Sequence, residues 1–394
     1  MLLSILRIAL AALLMLTSDY GAGEPIAPPE QILSPEALLG REIFHDESLS
    51  ASGRMSCATC HDPAHAFARG PGQGPVALGG PNLDIAGFRK VPSLRYLAKT
   101  PAFFFDKRDG KATPTGGLAR DGRANTLAEQ ARLPLLSPQE MANASPEDVA
   151  AKLSRARYAA QFRSVYGQNI FAEPRLAFEK ALRALQQFQL EDTAHFAPFT
   201  SKYDYFLAGM TPLSLQERRG LALFENPKKG NCAACHPAAQ GKDGTPPLFT
   251  DFTYDNIGVP RNAAIPANRD KRYFDLGLCG PFREDLSRHK ELCGAFKVPT
   301  LRNIAVTPPY FHNGSFDTLR EVVEFYVSRD SNWTKWYSRA AGHPRKFDDL
   351  PQRYVRNVNR TEPPYDKRNT PALSSTEIDD IVAFLRTLTD GYQH

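Results

Sequence analysis

Two stretches of five residues carry groups whose type and spacing could do chemistry: Cys57-Ala58-Thr59-Cys60-His61 and Cys232-Ala233-Ala234-Cys235-His236. Each sets two thiols one turn apart and an imidazole directly after the second. That spacing lets the thiols add to the two vinyl groups of a haem while the histidine turns back to ligate the iron. A zinc knuckle or a redox dithiol also uses C-x-x-C, but neither calls for the immediate histidine in both copies. Two covalent c-type haems are therefore predicted, bound through Cys57, Cys60, His61, Cys232, Cys235 and His236.

What such a haem does depends on the sixth position of its iron, since a closed iron passes electrons and an open one can meet peroxide. No methionine lies downstream of His236, so a His/Met second haem with its methionine on that side is excluded. His289, His312, His343, His394 and several tyrosines remain there. Tyr326 shares a helical stripe with Leu319, Val322 and Val323, a pattern that also suits an ordinary core tyrosine. The last two cysteines, Cys279 and Cys293, have no His-bearing pattern. In an oxidising compartment they are expected to pair and close a loop of about 15 residues, worth roughly 3 kcal/mol in chain-entropy terms.

The elements that must position these groups repeat. Ser34 to Phe44 and Ser214 to Phe224 each place a Gly four residues before a Phe, ahead of the two cysteine motifs. Val91-Pro92-Ser93-Leu94-Arg95 and Val298-Pro299-Thr300-Leu301-Arg302 follow them in the same order. Three matches in order mark a duplicated cytochrome unit. Helix starts are expected at Ser34-Pro35 and Ser145-Pro146, and a helix from Pro174 to Leu190 with Leu182, Leu185 and Phe188 on one face. Ser374 and Glu377 form a capping box before a stripe running from Ile378 to Leu388. Strand signals are weak, so the expected fold is mostly α, with two cytochrome c-like domains and a boundary within residues 197–210.

The 394 residues, 42% hydrophobic and 23% charged, exclude a disordered chain, a collagen-like repeat and a polytopic membrane protein. The net charge of +5 comes from interspersed residues with no basic stripe, so no nucleic-acid partner is expected. Met1 to Leu16 is apolar apart from Ser4 and Arg7, and Gly21-Ala22-Gly23 follows. This reads as a signal peptide over residues 1–22, cleaved near Ala22, and hence as export to the periplasm. The run from Ile8 to Leu16 is short of the roughly 20 residues a membrane span needs, so no stable insertion is expected. The domains are then 23–200 and 201–394.

Phe296-Lys297-Val298-Pro299-Thr300-Leu301-Arg302-Asn303, Pro309-Tyr310-Phe311-His312-Asn313-Gly314 and Thr318-Leu319 resemble the C-terminal signature of bacterial dihaem cytochrome c peroxidases and their MauG-like relatives. The resemblance runs from about Ser34 to Leu388. Peroxidases of the family ligate the second iron with a methionine seven residues after that leucine, where this chain has Tyr326. The resemblance therefore implies the MauG-like branch, with a His236/Tyr326 second haem whose phenolate favours oxidised iron. Asp121-Gly122-Arg123, Leu127 to Ala131, Pro134 and Ser137 to Met141 resemble the stretch that covers the peroxidatic haem. It implies that Glu140 is the distal acid–base for hydrogen peroxide and that Gln130 helps order water or peroxide.

Two positions depart from the family. Its inter-haem tryptophan is replaced by Arg120, the only tryptophans being Trp333 and Trp336. Its interdomain calcium would take backbone oxygens of Thr307 and Pro309 and an asparagine whose place is held by Lys90, an ammonium that opposes a hard cation. The implied activity uses peroxide at the His61 haem, shares the oxidising equivalents with the second haem in a high-valent two-iron state, and oxidises tryptophan or another aromatic residue of a protein partner. Cofactor maturation and kynurenine formation both fit. The rivals are a peroxidase fed by a small cytochrome and a non-catalytic electron carrier.

Overall fold

Ser34 and Ser214 start equivalent helices for the same local reason: a hydroxyl satisfies an N–H that the first turn leaves unpaired. Ser34 Oγ accepts from Ala37 N at 3.1 Å, and Ser214 Oγ accepts from Glu217 N at 3.2 Å while Glu217 returns the bond to Ser214 N. In this computed structural model residues 32–108, 110–337, 345–365 and 371–393 are described. The expected signal peptide, His343 and His394 lie outside them.

The helices are α1 (Pro35–Phe44), α2 (Cys57–Cys60), α3 (Leu127–Leu136), α4 (Pro146–Leu153), α5 (Ala159–Tyr166), α6 (Pro174–Glu191) and α7 (Thr193–Phe196). After them come α8 (Lys202–Leu207), α9 (Leu215–Glu225), α10 (Leu319–Ser328), α11 (Trp333–Trp336) and α12 (Ser375–Arg386). Three antiparallel two-stranded ribbons join them: β1 (Leu78–Gly79) with β2 (Ile85–Ala86), β3 (Phe104–Arg108) with β4 (Lys111–Thr115), and β5 (Tyr254–Asp255) with β6 (Phe296–Lys297). The fold is thus predominantly helical, and no described helix is long and apolar enough to cross a membrane.

Two apolar cores form. The first joins Leu39, Ile43 and Phe44 of α1 to Phe178, Leu182, Leu185 and Phe188 of α6. The second joins Phe224 of α9 to Ile381, Phe384 and Leu385 of α12 and to Val323 and Phe325 of α10. Each core is closed by the same helix crossing. A Cβ on Gly40 would sit 2.0 Å from the Ala184 carbonyl oxygen and 2.9 Å from Phe188 Cβ; on Gly220 it would sit 2.0 Å from the Asp380 oxygen and 2.9 Å from Phe384 Cβ. Only glycine lets the two backbones approach this closely.

The first core ends at Phe196 and the second begins at Tyr203. The stretch 197–210 between them holds α8, which Ser201 and Asp204 cap reciprocally. Residues 32–394 nevertheless make one compact unit. Ion pairs tie its early and late segments together: Arg89–Asp275 at 2.6 Å, Arg95–Asp390 at 3.0 Å and Arg108–Asp251 at 2.8 Å. Cys279 and Cys293 are joined as a disulfide with Cα atoms 4.9 Å apart.

Gly40→Ala and Gly220→Ala should each destabilise the protein by about 1–3 kcal/mol through overpacking at a helix crossing. Denaturant unfolding of the two variants checks this, and an unchanged midpoint would show that the crossing has room to spare.

Candidate dihaem site

The first cysteine pair lies on α2, which Ser56 and Thr59 cap, and the second on a short 3-10 turn, Cys232–Ala234. In both, the histidine N–H bonds back to the carbonyl of the first cysteine, at 2.8 Å for His61 and 2.9 Å for His236. The imidazoles are anchored alike: His61 Nδ1 bonds the Phe67 carbonyl at 3.0 Å and His236 Nδ1 bonds the Phe249 carbonyl at 2.7 Å. A carbonyl can only accept, so the ring proton sits on Nδ1 and the lone pair on Nε2, the arrangement of a metal-ligating histidine. Burial lowers the His61 pKa to about 4 and also lowers that of His236, keeping both rings neutral.

Burial pushes the thiols up to about 12 for Cys57, Cys232 and Cys235 and about 11 for Cys60, and all four are free. Redox-active dithiols show the opposite, a lowered pKa. Both sites open on one cavity of about 720 Å³ whose lining is largely apolar, with Phe44 and Leu185 at one end and Phe224, Val323 and Leu385 at the other. Paired thiols, an Nδ1-anchored imidazole and an apolar cradle at each end fit one c-type haem per site.

Glu140 and Gln130 line the same cavity. Gln130 projects from α3, whose C-terminal end pins the following turn: Met141 N bonds the Pro134 carbonyl at 3.0 Å and Glu140 N bonds the Ser137 carbonyl at 3.0 Å. Gly80 N, at the end of β1, holds the Glu140 carbonyl at 2.8 Å. The Glu140 side chain is open to the cavity, yet enough protein surrounds it that burial raises its pKa, against the opposing pull of Ser137 and Arg123. Cys60 feels its charge, which places this carboxyl at the first site.

Tyr326 lies on α10 at the second site, where the thiols of Cys235 and Cys232 act on it together with Asp255. Its ring stacks on Tyr365 at 5.6 Å and meets Phe311 at 5.8 Å. Burial drives its phenol well above the ordinary tyrosine pKa, and a hydrogen bond from Tyr365 opposes that rise. His312, the other candidate, lies flat on Phe296 at 3.6 Å with Nε2 3.8 Å from Asp349, and its carbonyl accepts from Lys90 N. Among the described residues no methionine joins Tyr326: Met55 and Met141 belong to the first core and Met210 is exposed.

Arg120, Thr307 and Pro309 also line the cavity, whereas neither tryptophan does. Trp336 instead packs edge-on against Phe325 and donates to Ser328 Oγ at 3.0 Å. Among the described residues no group of three or more His, Cys, Asp or Glu could hold a metal ion. Tyr365 was not singled out from sequence, because its partner Tyr326 lies far off in the chain and nothing local marks it.

Two such sites facing one cavity on a duplicated helical frame define a two-haem cytochrome. Residues 34–212 match the family model for di-haem cytochrome c peroxidase. The chain is 36% identical to methylamine utilization protein MauG of Paracoccus denitrificans, over 98% of this chain and 96% of that one. It is 29% identical to cytochrome c551 peroxidase of Nitrosomonas europaea over 82% of each chain. The crystal structure of the diheme peroxidase BthA from Burkholderia thailandensis matches with a TM-score of 0.83 and 41% identity, covering 91% of this chain and 87% of that chain. The chain belongs to the dihaem cytochrome c peroxidase/MauG family and is a haem-dependent oxidoreductase of that family.

Exported protein should carry two haems that survive denaturation, and Cys→Ala replacement of either cysteine pair should leave one. A pyridine haemochrome assay counts them, and one haem in the parent chain would contradict the assignment.

Proposed function

We propose that this chain is exported to the periplasm and holds two covalent haems, one each in residues 23–200 and 201–394. It uses hydrogen peroxide at the His61 site to oxidise an aromatic residue, tryptophan foremost, of a protein partner through the His236/Tyr326 site. The observation that carries this reading is the tyrosine beside Cys232 and Cys235, in a stretch with no methionine after His236. Held by Cys57, Cys60 and His61 and by Cys232, Cys235 and His236, the haems would supply the two electrons that reduce peroxide.

The chain's own residues do the rest. Glu140 in its carboxylate form takes a proton from the near oxygen of peroxide and returns it to the far oxygen, which leaves as water. Gln130, on the same wall, orients the peroxide or its water. Tyr326 gives up its proton on ligation; burial makes that costly unless a cation stands beside the oxygen, and Tyr365 contributes a hydrogen bond to the resulting phenolate. Arg120 is not oxidisable, so charge passes between the sites by tunnelling or through other aromatic side chains. Thr307 and Pro309 remain the residues toward which a calcium ion would be placed, with buried Lys90 opposing it.

The 41% identity to a protein named a diheme peroxidase favours a second reading, peroxide reduction by electrons from a small cytochrome. Mixing the holoprotein and peroxide with either a reduced small cytochrome or a candidate protein partner separates the two. Oxygen mass gained on a partner tryptophan supports the first, and faster cytochrome oxidation with no modified partner overturns it.

Glu140→Gln should slow the reaction with peroxide by about 10²–10⁴-fold. In the parent protein the rate should climb with pH as Glu140 ionises, across a range above the usual glutamate pKa because burial raises it. Stopped-flow pH profiles check this: the limb should vanish in the variant, and its survival would assign the base elsewhere.

A further inference from the structure

The internal repeat reaches one residue further upstream than its Val-Pro pairs. Lys90 precedes Val91-Pro92 and Lys297 precedes Val298-Pro299, so each half carries Lys-Val-Pro-Ser/Thr-Leu-Arg. Both segments are fastened to the loop that holds the histidine. Ser93 Oγ donates to the Ala66 carbonyl at 2.5 Å and Thr300 Oγ1 to the Leu248 carbonyl at 2.6 Å, one residue before Phe67 and Phe249. The carbonyls of Pro92 and Pro299 act on His61 and His236. Each lysine therefore rides on the strap of its own site.

Both lysines line the shared cavity. Lys90 is only 7% exposed. Lys297 Nζ reaches one acceptor, the Gly117 carbonyl. Neither has a carboxylate partner among the described residues. Arg120 stands between them: its charge is felt at Lys90, its carbonyl accepts from Lys297 N at 2.9 Å, and its buried Nε has no acceptor.

Other buried cations of this chain are paired. Arg89 binds Asp121 and Asp275, Arg302 binds Asp204, and Arg329 binds Asp330. An unpaired buried charge is costly, and burial lowers both lysine pKa values to about 7. Among the described residues no carboxylate pairs with any of these three cations that line the cavity.

We propose that Lys90 and Lys297 are a duplicated pair of counter-ions, each receiving a propionate carboxylate of the porphyrin held by its own half, with Arg120 supplementing them where the two halves meet. This rests on the dihaem reading. Because neither ammonium has a carboxylate partner, Lys90→Met and Lys297→Met break no ion pair and keep the side-chain volume.

Resonance Raman spectra of the holoproteins report propionate hydrogen bonding directly, and redox titration followed by absorbance separates the two haems. Lys90→Met should shift the propionate-bending band and lower the midpoint potential of the His61 haem alone, because losing a positive charge favours the ferric form. Lys297→Met should do the same for the His236 haem, and Lys90→Arg should keep the parent band. Variants that load two haems with unmoved bands overturn the inference and leave the dihaem reading intact. Parent bands that move with added inorganic phosphate also overturn it, by assigning the cations to a solute anion. A parent protein without haem removes both.

Discussion

The hydrogen bond from each histidine Nδ1 to a backbone carbonyl is the interaction on which the rest of the structure depends. It sets the tautomer, turns Nε2 toward the cavity and gives burial a ring that stays neutral. The acceptors Phe67 and Phe249 hold left-handed backbone conformations, with φ of 54° and 52°, so each carbonyl is aimed by a strained residue. Those residues are fixed in turn by the Ser93 and Thr300 hydroxyls bonding the carbonyls just before them. The strap, the loop and the ring form one mechanical unit, built twice.

The proposed function draws on the places where the two copies differ. The first has α3, which carries Gln130 to the cavity, and after it a loop that carries Glu140 there. The second has α10, whose capping box at Thr318 and Glu321 fixes the helix that carries Tyr326 to the cysteines. In the proposed function one half offers a proton carrier and the other an oxygen ligand. The cavity that joins them has buried cations along its wall, and its lining includes tyrosines but neither tryptophan.

Much of this was legible from sequence, for reasons that are local. Caps at Ser34, Ser145 and Ser374 involve groups within a few residues, and all three form. The Gly-to-Phe spacing in α1 and α9 was visible, but not its cause: the glycines matter for the approach of Ala184 and Asp380, residues distant in the chain. Stretch 197–210 reads as a boundary, and its helix α8 has a local signal, Ser201 with Asp204, which composition alone obscures. The β3–β4 hairpin was missed because Phe104 and Phe105 remain exposed and show no buried alternation. Tyr365 and the burial of Lys90 are tertiary facts, readable only when distant segments are brought together.

In the proposed function Tyr326 would close the second iron while the first stays open. Electron paramagnetic resonance of the resting ferric holoprotein and its Tyr326→Phe variant tests it most directly. One high-spin and one low-spin signal of equal weight are expected in the parent, with loss of that low-spin signal in the variant. A low-spin signal that persists unchanged in Tyr326→Phe would contradict it and assign the sixth position to another group, His312 first.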